Sequence, residues 1–119
     1  MKDYSTMDDL EINQRVFFWR NGEIKECKGL AKVADGHISY LTTLGYVRFD
    51  PCNNPADAWP IILENKINID HRDTFKAGPM ASMSGRKDIY AVDKNPLRAS
   101  MIVFLMMKDD AVNTQGEKV

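Results

Sequence analysis

Two aspartates, Asp50 and Asp93, each stand a few residues ahead of an Asn-Pro pair, in Asp50-Pro-Cys-Asn-Asn-Pro and Asp93-Lys-Asn-Pro. Two carboxylates facing one cleft could serve as general acid and base. The same placement has a purely structural use, because an aspartate just before a helix accepts backbone N–H groups as an Asx turn. The other chemistry-bearing residues are sparse. His37 and His71 are the only imidazoles, and neither lies at a ligand spacing from another His, Cys or carboxylate. His71-Arg72-Asp73 matches a kinase catalytic loop in letters only, without the glycine-rich loop or strand lysine that such a site needs. Gly78 and Gly85 are too far apart to cradle a phosphate and lack a following Lys-Ser/Thr. No catalytic set emerges, so the reading leans away from an enzyme and expects no metal and no cofactor.

Binding chemistry is better represented. The stretch from His71 to Lys87 carries Arg72, Lys76, Arg86 and Lys87 among small residues, with Met80 and Met83 between them. It reads as a mobile loop, either merely solvated or an arm that orders on an anion or an acidic protein. Methionines there would adapt to varied partner surfaces. Trp59, beside Pro60, could form a ledge of the kind that anchors interfaces. Arg98 falls in the first turn of the last expected helix, where the helix dipole disfavours a cation. It should pair with Asp57, Asp93 or Asp50, or hold an anion. A nucleotide between Arg98, Arg86 and Asn54 is the corresponding ligand expectation.

The elements that must position these groups follow from pattern. The 119 residues are predicted to form a single α+β domain over 1–108, three helices against one small, mainly antiparallel sheet, with a flexible tail over 109–119. A first helix is expected from about Thr6 to Arg20, capped by Ser5 or Thr6 and ended by Asn21-Gly22. Glu23 to Val33 and His37 to Leu41 read as strands around an Asp35-Gly36 hairpin turn, and Gly45 to Asp50 as a third. Asn54 and Pro55 should open a helix, with a kink at Pro60. A short strand over Lys66 to Asp70 and another over Asp88 to Asp93 precede the last helix, which Asn95 and Pro96 should open and which should end near Lys108. The echo between the two Asn-Pro segments fits either an internal duplication or two uses of one convenient strand-to-helix connection.

Net charge is −1, which disfavours broad nucleic-acid binding. The longest apolar run, Met101 to Met107, is far below the ~20 residues that span a bilayer. Cys27 and Cys52 read as two reduced thiols of a cytoplasmic protein. The apolar last helix leaves a homo-oligomer open.

Phe49-Asp-Pro-Cys-Asn-Asn-Pro-Ala-Asp-Ala-Trp-Pro-Ile-Ile-Leu-Glu-Asn-Lys-Ile and Asp93-Lys-Asn-Pro-Leu-Arg-Ala-Ser-Met-Ile-Val-Phe-Leu-Met-Met, together with the opening Asp8-Asp-Leu-Glu-Ile-Asn-Gln-Arg-Val, resemble the NinX-type proteins of temperate tailed phages and prophages. The resemblance implies a phage accessory protein made in a bacterial cytoplasm and brings no catalytic residue with it. The positions it marks are Asn53, Asn54, Asp57, Trp59, Pro60, Asn95, Pro96 and Arg98. The expected function is therefore a non-catalytic protein that binds a host factor of replication or defence, with nucleotide capture and an enzyme built on Asp50 and Asp93 as rivals.

Overall fold

The longest apolar run of the chain becomes the axle of the molecule. In the computed structural model, which describes residues 3–20, 31–34, 37–42, 44–71 and 78–117, helix α3 spans Pro96–Glu117, and every residue from Ala99 to Leu105 is buried. A helix that is apolar all round has to be covered on all sides. Helix α1 (Asp9–Arg20), helix α2 (Pro55–Glu64) and one face of a β-sheet all pack against it. Fully burying one side chain such as Phe104 or Leu105 stabilises the fold by about 1.5–3 kcal/mol. Ser100, the polar residue inside this run, donates its hydroxyl to the Pro96 carbonyl at 2.8 Å.

Among the described residues, six strands form two antiparallel meanders. Strands β1 (Ala31–Ala34), β2 (His37–Thr42) and β3 (Gly45–Phe49) lie in the order β1-β2-β3, and β4 (Ile67–Asp70), β5 (Met80–Met83) and β6 (Arg86–Val92) in the order β4-β5-β6. The first meander packs on α1 through tilted and edge-on contacts among Phe17, Tyr40 and Phe49, with ring centroids 5.7–6.3 Å apart. The second presents Ile67, Ala81 and Ile89 to α3. The pleat turns Asn68, Ser82 and Tyr90, which are aligned across the strands, to the other face. Each meander is followed at once by an Asn-Pro helix, α2 after β3 and α3 after β6. The sequence echo thus coincides with an echo of topology, three strands and a helix, twice over.

The α+β class holds, and both Asn-Pro pairs open helices. Several expectations need correction. The single sheet is two, with α2 between them in the chain. The first helix begins at Asp9. Ser5 and Thr6 belong to a 3-10 turn over Tyr4–Thr6, in which Asp3 accepts from Ser5. Asp8 takes over as cap, accepting from the Glu11 N–H at 2.8 Å. Pro60 leaves α2 continuous. Both Pro60 and Ala56 are exposed, so the Ala56 carbonyl that loses its partner faces solvent. The expected loop is a hairpin from Met80 onward. Ser84-Gly85 is its two-residue turn between the paired Met83 and Arg86, and glycine supplies the positive φ of 81°. Helix α3 continues to Glu117, into the stretch read as a tail, and Asp109 and Asp110 are tied to Tyr4 and Arg86. Asn21-Gly22, the start of the Glu23 strand, Asp35-Gly36, Arg72 and Lys76 lie outside the described residues.

Candidate functional site

The N-termini of the three helices meet, and most of the polar residues singled out in the sequence are used there. Asn54 accepts from the Ala56 N–H at 3.0 Å and caps α2. Asn95 accepts from the Leu97 and Arg98 N–H groups and caps α3. The two turns are also stitched to each other, because the Asn95 side-chain amide donates to the Cys52 carbonyl at 2.6 Å and to Asn53 at 3.3 Å. Asp50 accepts from the amides of Asn13 at 2.8 Å and Asn53 at 3.1 Å. Its own N–H donates to Asp57 at 2.9 Å, so Asp57 locks the turn and does more than answer the helix dipole. Burial raises the Asp57 carboxyl above its ordinary range.

Arg98 is wholly enlisted in this junction. Its Nε donates to Asp93 at 3.0 Å and Nη1 to Asp9 at 2.7 Å. Nη2 donates to the carbonyls of Ser5 at 3.2 Å and Met7 at 2.5 Å. The expected partner Asp93 is present, whereas Asp57 and Asp50 are replaced by Asp9, which the sequence reading missed. Only 12% of the Arg98 side chain is exposed. Arg86 reaches Asp110 at 3.1 Å and Asp88 at 2.7 Å. Asp110 lies 12 residues beyond Arg98 on α3, roughly 18 Å along the axis. Arg98, Arg86 and Asn54 are therefore not gathered around one space. Asp50 and Asp93 do belong to one network, but their oxygens are engaged by amides and by Arg98.

Cys52 sits beneath the junction, fully buried. Burial, reinforced by Asp9, pushes its thiol well above the ordinary range and suppresses the thiolate. Its alkylation by iodoacetamide at pH 8 should accordingly proceed only through unfolding. Peptide mapping should show Cys52 labelling at least 100-fold slower in the native protein than in 6 M urea. Comparable rates would mean that the junction opens freely.

From Met80 onward the basic, Met-containing stretch is a built element. Met83 packs against the core and Met80 is half-buried. Arg86 is paired, and Lys87 contributes its backbone to β6. Removing Pro79–Gly85 would excise β5, so this stretch is not a separable arm.

Open surface lies instead around Trp59. Trp59 and Leu63, one turn apart on the outer side of α2, are 53% and 58% exposed. They border a groove of about 630 Å³ floored by Ile62, Ile67 and Ile69, with Lys66, His71 and Ser84 on its rim. A second groove of about 470 Å³, over Met80, Ser82 and Arg86, adjoins it at Asn68. Sequence reasoning found Trp59 but missed Lys66, whose backbone adopts φ 53° just past the end of α2. A third groove, of about 380 Å³, lies between α1 and α3 and was not anticipated. Burial, together with its bond to Asp109, raises the Tyr4 phenol there, and the Arg15 guanidinium stands 6.0 Å from the Tyr4 ring centre. Tyr4 meets Asp109 across almost the whole chain length, which no local pattern could signal.

Residues 3–108 match the family described as "Bacteriophage P22, NinX". The chain belongs to the NinX family. The three-helix junction and the Trp59 groove both fall inside the matched stretch, whereas Asp109 and Asp110, which hold Tyr4 and Arg86, lie just beyond it. The positions that the resemblance marked divide cleanly. Asn53, Asn54, Asp57, Asn95, Pro96 and Arg98 build the junction, while Trp59 and Pro60 are exposed on α2. No match was found among curated proteins or among solved structures. Among the described residues, no helix of this NinX chain is long and apolar enough to cross a membrane, and no three His, Cys, Asp or Glu side chains are grouped to hold a metal ion.

Proposed function

We propose that this phage accessory protein is a non-catalytic binding protein that engages a protein of the bacterial host in the cytoplasm, through the Trp59 ledge and the groove beside it. The observation that carries this reading is the pair Trp59 and Leu63. Two large apolar side chains, each more than half exposed, stand together at the mouth of an apolar groove. A small chain gains nothing in folding from leaving such a pair in water, and Trp is enriched among residues that dominate binding energy. The junction residues supply the complementary support, since their donors and acceptors are spent within the chain.

The test compares capture from host lysate by the wild-type chain and by the double variant Trp59→Ala, Leu63→Ser. Both side chains are exposed, so the variant should fold and melt as the wild type does. A partner retained by the wild type should bind the variant at least tenfold more weakly once purified and titrated. Equal recovery of every captured protein would refute the reading.

A further inference from the structure

Helix α2 ends in a way that costs stability. Asn65 closes it, with its N–H and its side-chain amide both donating to the Ile61 carbonyl, at 3.1 and 2.8 Å. The next residue adopts the left-handed conformation, φ 53°, that commonly ends helices and that glycine occupies most cheaply. Here it is Lys66. Among the described residues Lys66 is the one non-glycine with positive φ. Its backbone is held by two bonds: its N–H donates to the Leu63 carbonyl at 3.3 Å, and its carbonyl accepts from the Ser84 hydroxyl at 2.5 Å. Its ammonium has no hydrogen bond or ion pair among the described residues, and neither does the imidazole of His71. Backbone strain kept at one place is a pointer to use at that place.

Among the described residues, the charge lining the Trp59 groove is one-sided: Lys66 and His71 are there and no Asp or Glu is. Of the neighbouring carboxylates, Glu64 is paired with Arg20 and Asp70 has an interaction of its own. An apolar floor with an unneutralised basic rim is complementary to an apolar side chain flanked by carboxylates.

Resting on the reading of the groove as a protein-binding site, we propose that its occupant is an acidic, amphipathic segment of the partner protein. One apolar side chain of that segment sits between Trp59 and Ile67, and its Asp or Glu neighbours face Lys66. The ammonium is a point charge at the rim, so it steers and orients the segment while Trp59 supplies the anchor. Lys66 is a positioning residue whose strained backbone is retained for that contact.

A random dodecapeptide display library, selected on the full chain, tests this directly. Recovered peptides should combine Asp or Glu with Leu, Phe or Trp. Their affinity should fall at least tenfold on Trp59→Ala and weaken as salt is raised from 50 to 300 mM. Lys66→Gly separates function from fold. It should raise the melting temperature by about 3 °C by relieving the left-handed lysine, and weaken the acidic peptides about fivefold. Lys66→Glu should shift selection towards basic peptides. Peptides that depend on Trp59 but show no acidic bias would overturn the charge proposal and leave the binding site standing. Peptides indifferent to both Trp59 and Lys66 would overturn both. Self-association detected by light scattering and abolished by Trp59→Ala would assign the groove to a second copy of this chain and likewise overturn the proposal.

Discussion

Arg98→Ala should lower the unfolding free energy by about 3 kcal/mol and the melting temperature by about 10 °C, without emptying any ligand site. The guanidinium satisfies Asp93, Asp9 and the carbonyls of Ser5 and Met7 at once. Its loss leaves two carboxylates facing each other across the junction and two carbonyls without their donor. Removing one member of a largely buried, hydrogen-bonded set costs more than the set is worth as a whole, because the remaining charges stay desolvated. The favourable pairing also offsets the unfavourable position of a cation at a helix N-terminus. Arg98→Lys keeps the charge, but one ammonium cannot span four acceptors set in a fork, so about half the loss should remain. Urea denaturation of the three proteins checks the order wild type, Lys, Ala. Full stability in Arg98→Ala would mean that the junction does not hold the helices together.

Legibility in the sequence followed the range of the interaction. Asn54-Pro55 and Asn95-Pro96 were readable because a cap is a contact between near neighbours. The apolar character of Met101 to Met107 was readable because seven apolar residues in a row cover more than one face of a helix. Arg98 was flagged as misplaced against the dipole, and Asp93, five residues away, was found. Asp9 was not, since it lies 89 positions earlier in the chain. The hairpin at Ser84-Gly85 was mistaken for mobility because its strands carry small and polar residues. Those residues are explained by α3 pressing on one face of the sheet, where Ala81 leaves room for it. Of the candidate site, Trp59 was legible by type alone. Lys66 was not, because a lysine in a glycine's conformation shows itself only in the backbone angles.

Gly78→Ala should be the most damaging of the small substitutions, at more than about 3 kcal/mol, whereas Gly85→Ala should cost about 1 kcal/mol. Both glycines have positive φ, 123° and 81°, so conformation alone would not rank them so far apart. Their surroundings do. A Cβ on Gly85 meets nothing within 4 Å, but on Gly78 it would lie 2.4 Å from the Asp93 carbonyl oxygen and 2.7 Å from the Lys94 Cα. These are backbone atoms, which cannot swing aside as a side chain would. Relief requires displacing the turn that follows β6, and that turn carries both the Asp93 N–H bond to the Pro79 carbonyl at 3.2 Å and the carboxylate that holds Arg98. The strain therefore reaches the three-helix junction. In an Arg98→Ala background part of that cost has already been taken, so the Gly78→Ala penalty should shrink by 1 kcal/mol or more in a double-mutant cycle. Strict additivity of the two losses would show that the close approach at Gly78 and the Arg98 network are independent features of the fold.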